Sequence, residues 1–67
     1  MNVKKQFGKK LKTLRLSKEF SQEKLALEAG LDRTYIPSIE KGERNVSLEV
    51  IYKLAKALDI SVLDFFK

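Results

Sequence analysis

The stretch from Ser21 to Glu40 constrains the fold more than any other part of the chain, because one helix must end and another must begin within it. Ser21 can cap a first helix, since its hydroxyl can accept a free backbone N–H group of the opening turn. Gly30 stands where this helix ends, because a residue without Cβ enters the left-handed conformation at no steric cost. Asp32 can cap a second helix almost at once. The pattern predicts two short helices joined by a tight, glycine-containing turn, which is the helix-turn-helix layout.

The amino-acid composition limits the chemistry that the chain can perform. With 67 residues, of which 43% are hydrophobic, the chain is expected to form one small domain over residues 1–67. It contains no cysteine and no histidine, the residues that most often bind metals or act as general bases. We therefore expect no enzyme activity, no metal site and no cofactor. No apolar run approaches the ~20 residues of a membrane span, and no signal-peptide pattern follows the first lysines, so we expect a cytoplasmic protein.

The positive charge is concentrated at one end of the sequence. Residues 1–18 contain seven Lys and Arg and no Asp or Glu, whereas the remaining 49 residues contain seven basic and nine acidic side chains. The net charge of +5 therefore divides into +7 and −2. A concentrated positive field attracts phosphate backbones or anionic membranes, while a solvated helix face explains the same charges without any partner. Charge alone leaves both interpretations open.

Apolar residues recur at helical spacing in the rest of the chain. One stripe of a first amphipathic helix consists of Val3, Phe7, Leu11 and Leu14. Gly8 within this helix can allow the close approach of another helix. The predicted helices span about 3–17, 21–29 and 32–41, followed by one that Ser47 caps and a short last one that Ser61 opens. No segment has the pattern of a strand, so we predict an all-α bundle of five short helices.

Several short motifs occur in the order and spacing typical of a known family. They are Leu14-Arg15, Ser21-Gln22-Glu23-Lys24-Leu25-Ala26, Gly30-Leu31, Ile36, Ile39-Glu40-Lys41-Gly42, Ser47-Leu48 and Ala55-Lys56-Ala57-Leu58. On these motifs the chain resembles the Cro/phage-repressor type of helix-turn-helix domain, the XRE-type family. The resemblance implies a five-helix, lambda-repressor-like DNA-binding domain with its helix-turn-helix at helices two and three. More narrowly, Leu31-Asp32-Arg33-Thr34-Tyr35-Ile36 and Glu43-Arg44-Asn45 resemble the small controller proteins of restriction–modification systems.

The resemblance also implies a function. Family members of this size commonly act as homodimers on palindromic operators, so we expect a small homodimeric transcriptional regulator that binds specific sequences of double-stranded DNA. No membrane partner and no small-molecule ligand are evident. An antitoxin-like or other protein-interaction module can use the same helical core, although the basic residues around helices one and three would then have no purpose. Salt-sensitive binding of DNA separates the two alternatives.

The second helix of the pair is expected to read base edges in the major groove. When its isoleucines face inward, the helical period turns three polar side chains outward, Arg33, Thr34 and Ser38, with Pro37 beside them. The planar fork of Arg33 suits guanine O6 and N7. Thr34 can donate a hydrogen bond to a base or place its methyl group against a thymine methyl, and Ser38 can bond a base or a phosphate. An ordinary helical surface is the alternative for these residues.

Pro37 is unusual inside a helix. It has no N–H group to donate to the Arg33 carbonyl, and its ring crowds that carbonyl. We therefore expect the first turn of the helix to be bent or 3₁₀-like. Two consequences stay open: a re-aimed Arg33 with altered specificity, or a tolerated substitution with weaker helix packing.

Phosphate contacts are expected on both sides of this helix. The resemblance implies that Gln22 holds a phosphate through its side-chain amide. The Tyr35 ring can pack under the helix while its hydroxyl reaches a phosphate. Three residues at the C-terminal end of the helix can bind the backbone of the other strand, with a plain polar loop as the alternative: Lys41, Arg44 and Asn45.

Two further pairs of residues have predicted roles away from the bases. The resemblance implies that Arg15 and Glu40 pair across helices one and three, as a structural link rather than a DNA contact. Near the C-terminus, Phe65 and Val62 are expected to close the core. Leu63 and Phe66 cannot both point inward with them, so we assign Leu63 and Phe66 to a dimer interface, with the packing of all four into one small core as the alternative.

Overall fold

The computed structural model describes residues 2–67. It contains α1 (Val3–Ser17), α2 (Gln22–Ala29), α3 (Tyr35–Glu40), α4 (Leu48–Leu58) and a 3₁₀ helix (Val62–Phe66). Residues 2–67 contain no strand, in agreement with the predicted all-helical fold. The expectation of five α-helices is wrong, because the last element is a 3₁₀ helix. A segment of five residues has little room for an α-helical hydrogen-bond ladder, and 3₁₀ geometry is usual for short pieces.

Local hydrogen bonds define most of the helix ends. Side-chain caps precede three of the α-helices, where Asn2, Ser21 and Ser47 accept the N–H groups of Lys5, Lys24 and Val50. The 3₁₀ helix opens with a reciprocal capping box between Ser61 and Asp64. Gly30 ends α2 in the left-handed conformation, with φ of 69°. These ends lie within about a residue of those predicted, because each depends on groups two to four residues apart.

The third helix begins later than predicted. Tyr35 is its first residue, three residues after the expected start at Asp32, and it ends at Glu40, one residue earlier than expected. Pro37 explains the late start, because it cannot donate to the Arg33 carbonyl. The bond that enters the helix instead joins the Tyr35 N–H to the Asp32 carbonyl at 2.9 Å. Since it spans three residues, the entry is 3₁₀-like, as predicted.

The core forms where one face of each α-helix meets the others and the 3₁₀ helix. The fully buried large side chains are Leu11, Leu25, Ile36, Ile39, Leu54 and Leu58. Val3 belongs to the predicted stripe of α1 but is 65% exposed, because it lies in the first turn at the edge of the core. None of the helices within residues 2–67 has the length and apolarity needed to cross a bilayer.

The packing of α1 on α3 depends on Gly8. A Cβ atom added there would overlap the Ile39 carbonyl oxygen and would lie 3.0 Å from the Glu40 Cα atom. These atoms belong to the backbone of α3, which cannot move aside as a flexible side chain can. The absence of a side chain at Gly8 therefore sets how closely α3 lies against the scaffold.

Candidate nucleic-acid interface

The turn between α2 and α3 holds two of the predicted base-contacting residues at the surface. The N–H group of Leu31, just after Gly30, donates to the Ala26 carbonyl at 2.9 Å, which ends α2 sharply. Arg33 and Thr34 follow, and both are exposed. The salt bridges found within residues 2–67 do not involve Arg33. Its planar guanidinium can therefore take a partner from outside the chain.

Asp32 organises this turn differently from the prediction. Instead of capping α3 directly, its Oδ1 atom accepts the Thr34 N–H at 2.9 Å and the Thr34 hydroxyl at 2.7 Å. Thr34 occupies the N-cap position and makes no side-chain capping bond. The two hydrogen bonds from Thr34 lower the pKa of Asp32 below its ordinary value, and the charges of Arg33 and Arg44 add to the shift. Because Pro37 delays the start of α3 to Tyr35, the carboxylate meets a turn rather than a helical N-terminus.

Ser38, Tyr35 and Arg44 form a connected cluster. The Arg44 guanidinium lies over the Tyr35 ring, 4.1 Å from its centroid, and its Nε atom donates to the Ser38 hydroxyl at 3.0 Å. The Ser38 hydroxyl in turn donates to the Tyr35 carbonyl at 2.9 Å. The structure thus gives Ser38 partners inside the protein, whereas the sequence predicted an outward hydroxyl. The terminal nitrogens of Arg44 are not used by the bond to Ser38.

The two residues expected to pair, Arg15 and Glu40, lie in direct contact. Arg15 donates from Nε to Glu40 Oε2 at 2.7 Å and from Nη2 to Oε1 at 3.1 Å. Its Nη1 donates to the Phe20 carbonyl at 2.8 Å. The Gln22 amide, predicted to hold a phosphate, donates to Glu40 Oε1 at 3.0 Å. Glu40 therefore binds α1, α2 and α3 together and orients Gln22 at the start of α2.

The segment after α3 carries the remaining predicted polar contacts. Lys41 and Asn45 are exposed, and the Lys41 N–H donates to the carbonyl of half-buried Pro37 at 3.0 Å. Gly42 has φ of 75°, and a Cβ atom there would lie 2.5 Å from the Lys5 Cγ. Lys5 of α1 thus lies against this segment, a position that the sequence did not predict. The only indication was a glycine just after α3, which is typical of a close approach.

The residues expected at a dimer interface lie on the 3₁₀ helix. Phe65 is buried and its ring centroid lies 4.9 Å from that of Phe7, so it closes the core. Leu63 is 68% exposed and Phe66 is 61% exposed. The two side chains therefore remain on the surface, as expected, and they belong to an element separate from α3.

Positively charged hydrogen-bond donors lie before and after α3. The cationic side chains that flank α3 in the sequence are Arg33, Lys41 and Arg44, and the acidic residues Asp32 and Glu43 are next to them. Arg33 and Lys41 present hydrogen-bond donors only. Such a group of donors, placed before and after a helix that is fixed by buried contacts, can bind phosphates and acceptor atoms on base edges.

Comparison with known proteins places the chain among helix-turn-helix proteins. The family described as helix-turn-helix matches residues 11–65. The control protein C.BamHI of Bacillus amyloliquefaciens is 53% identical, over 96% of this chain and 84% of that protein.

Two solved structures resemble the fold closely. The restriction–modification controller protein C.AhdI of Aeromonas hydrophila superposes with a TM-score of 0.95, at 48% identity, over 98% of this chain and 100% of that one. The controller C.Esp1396I, solved as a tetramer in complex with its natural 35 base-pair operator, superposes with a TM-score of 0.89, at 35% identity, over 98% and 87% of the two chains. Variants of that controller at an arginine, the following threonine and the next tyrosine have also been solved.

Proposed function

We propose a function for this chain from one established fact: it belongs to the helix-turn-helix family and, within it, to the control proteins of restriction–modification systems. The chain is a transcriptional regulator that binds double-stranded DNA at specific sequences. It acts as a homodimer on a palindromic operator. A controller that is 35% identical to it was solved as a tetramer in complex with its natural operator, which supports DNA binding and self-association.

The observation that carries the proposal is the exposure of Arg33 at the entry of a buried, rigidly held helix. Arg33 donates to guanine O6 and N7, a contact worth ~1–3 kcal/mol of discrimination. Thr34 contacts the neighbouring base, and Pro37 and Ser38 line the same edge of α3. The arginine–threonine–tyrosine sequence that has been varied in the C.Esp1396I controller occurs here at residues 33–35.

Phosphate contacts hold α3 in the major groove. Arg44 lies over the Tyr35 ring and keeps terminal donors that can reach a phosphate. Lys41 and Asn45 extend this contact along the segment after α3. On the other side, Gln22 binds a phosphate with the amide hydrogen that it does not donate to Glu40.

The dimer forms through the exposed side chains of the 3₁₀ helix. Leu63 and Phe66 are more than half exposed, and large apolar side chains clustered on a small protein mark an interface. A two-fold dimer would place two copies of α3 ~34 Å apart, one turn of DNA, so that both enter the major groove on one face. Sedimentation of the parent and of Leu63→Asp at micromolar concentration tests this interface.

Residues 1–67 function as one lambda-repressor-like domain without enzyme activity. The overlap with the C.AhdI controller along its whole length supports one domain. A regulator of this family acts where the DNA is, which in a bacterial cell is the cytoplasm.

Selection of bound duplexes from a random DNA library tests the function. We expect the parent to select a palindromic sequence, and Arg33→Ala to lose preference at one base pair of each half-site by about 10- to 100-fold. The control is Lys53→Ala, an exposed lysine of α4, which should select the parent sequence. Affinity should also fall by orders of magnitude between ~50 and ~200 mM salt. If Arg33→Ala selects the parent operator with equal preference, the proposed base contact is wrong.

A further inference from the structure

The hydroxyl group of Thr34 has a fixed hydrogen-bond direction, because its partner is the carboxylate of Asp32. Its Oγ1 atom lies 2.7 Å from Asp32 Oδ1, and the Thr34 N–H donates to the same oxygen at 2.9 Å. An ionised carboxylate has no hydrogen to donate, so the hydroxyl must donate to it. The remaining exposed groups of Thr34 are then two lone pairs and a methyl group.

The carboxylate that receives this hydrogen is ionised at neutral pH. Hydrogen bonds from the Thr34 hydroxyl and N–H hold the pKa of Asp32 below its ordinary value, and Arg33 and Arg44 lower it further. Protonation of Asp32, which would give the carboxyl a hydrogen of its own to donate, is therefore suppressed at neutral pH. Both side chains are exposed at the entry to α3.

We propose that Asp32 is a positioning residue for base recognition, because it holds Thr34 as a hydrogen-bond acceptor toward the DNA. This inference rests on the proposed function and concerns how the same surface distinguishes sequences. In the major groove, cytosine N4 and adenine N6 present donors, whereas guanine O6 and N7 and thymine O4 present acceptors. Thr34 therefore favours a cytosine or adenine amino group and disfavours a lone guanine or thymine acceptor.

Adjacent residues then read opposite patterns. The Arg33 guanidinium has only donors, so it selects acceptor edges such as guanine. Thr34, held by Asp32, selects donor edges. Each of the two side chains then disfavours the edges that the other selects, because a donor that faces a donor, or an acceptor that faces an acceptor, stays unpaired.

Three variants in the library selection test the role of Asp32. Asp32→Asn keeps an amide oxygen that can accept both Thr34 bonds, so we expect the parent preference to be retained. Asp32→Ala frees the Thr34 hydroxyl to donate, so preference at the Thr34 base pair should fall by about 2- to 10-fold and extend to guanine or thymine, while the Arg33 position is unchanged. Thr34→Val removes the hydroxyl but keeps the shape and identifies which base pair Thr34 reads. Circular dichroism melting checks that each variant folds.

The combined variant separates this role from a direct contact. In the Thr34→Val background, Asp32→Ala should cause no further change at that base pair. If it does cause one, Asp32 contacts the base itself and the inference is wrong. The inference is also wrong if Asp32→Ala in the parent background keeps the full preference. A parent protein that selects no sequence at all would instead overturn the proposed function. If the inference about Asp32 fails but the preference at the Arg33 base pair is retained, the proposed function still stands.

Discussion

The two ends of α3 are held in different ways. At its C-terminal end, Ile39 is 0% exposed and Glu40 lies against the buried Arg15. At its N-terminal end, Arg33 and Thr34 are exposed, and the turn is held by hydrogen bonds between residues two or three apart. The C-terminal end of this six-residue helix therefore contributes to the stability of the fold, whereas its N-terminal end is exposed for DNA binding. Substitutions at the two ends should therefore have separable effects.

The largest effect is expected at the buried end, from Glu40→Ala. The side chains of Arg15 and Glu40 are 8% and 5% exposed, so the variant leaves a buried guanidinium without its carboxylate. Losing one partner of a buried pair costs about 3–5 kcal/mol. Thermal unfolding followed by circular dichroism should show a much lower Tm. The control Glu43→Ala removes an exposed carboxylate and should change stability by less than about 0.5 kcal/mol. Equal melting of both variants would disprove the assigned role.

A second substitution at this end, Gly8→Ala, tests the close contact of α1 with α3. Alanine favours a helix over glycine by ~1 kcal/mol, but its Cβ would overlap the Ile39 carbonyl oxygen. Overpacking against backbone typically costs about 1–3 kcal/mol, so we expect a net loss, measured by urea unfolding. The control Lys9→Ala lies on the same helix and is exposed. A Gly8→Ala protein more stable than the parent would show that the helices can separate without cost.

Substitution of Arg44 should change the affinity for DNA more than the stability of the fold. Arg44→Ala removes a cation that lies over the Tyr35 ring, and we expect the slope of log affinity against log salt to become shallower by ~0.9 for each phosphate that the variant no longer neutralises. Arg44→Lys keeps the charge but not the planar fork, so its slope should stay closer to that of the parent while its affinity falls. Lys53→Ala, an exposed position of α4, should change neither. An unchanged slope in Arg44→Ala would show that Arg44 does not bind a phosphate.

The smallest effect concerns acid stability. The pKa of Asp32 is lowered by its hydrogen bonds from Thr34, and the pKa of Asp64 is lowered by Lys67 and the Ser61 N–H. Because these native-state pKa values lie below the unfolded ones, both carboxylates stabilise the fold at neutral pH, and this stabilisation is lost as the pH falls below about 4. Asp32→Asn should therefore lose less stability than the parent between about pH 5 and pH 2. Superimposable curves of Tm against pH would contradict the assigned shift.

Short-range signals explain why most of the helix ends could be predicted. Ser21, Ser47 and Ser61 each accept an N–H group two or three residues ahead, and Gly30 takes the left-handed conformation. Each of these depends on a few neighbouring residues, so their identity is sufficient. Pro37 also acts locally, and the 3₁₀-like entry to α3 follows from its missing N–H group.

The site was harder to predict, since several of its polar groups have partners distant in sequence. The Ser38 hydroxyl was expected to face outward, but it accepts a bond from Arg44. The Gln22 amide was assigned to a phosphate, yet it donates to Glu40, eighteen residues away. No periodic pattern indicates such pairs, because they depend on how the helices cross.

Residue identities alone established an all-helical chain, its approximate helix ends and the exposed Arg33 beside a glycine-ended helix. Those features arise from backbone conformation and from hydrogen bonds between near neighbours, which amino-acid type controls directly. Helix packing established the contact of Gly8 with α3 and the position of Lys5 beside the following segment, and the path of the turn before α3 established the direction of the Thr34 hydroxyl. These features depend on distances between groups on different elements or on the exact path of a turn, which no single residue type specifies.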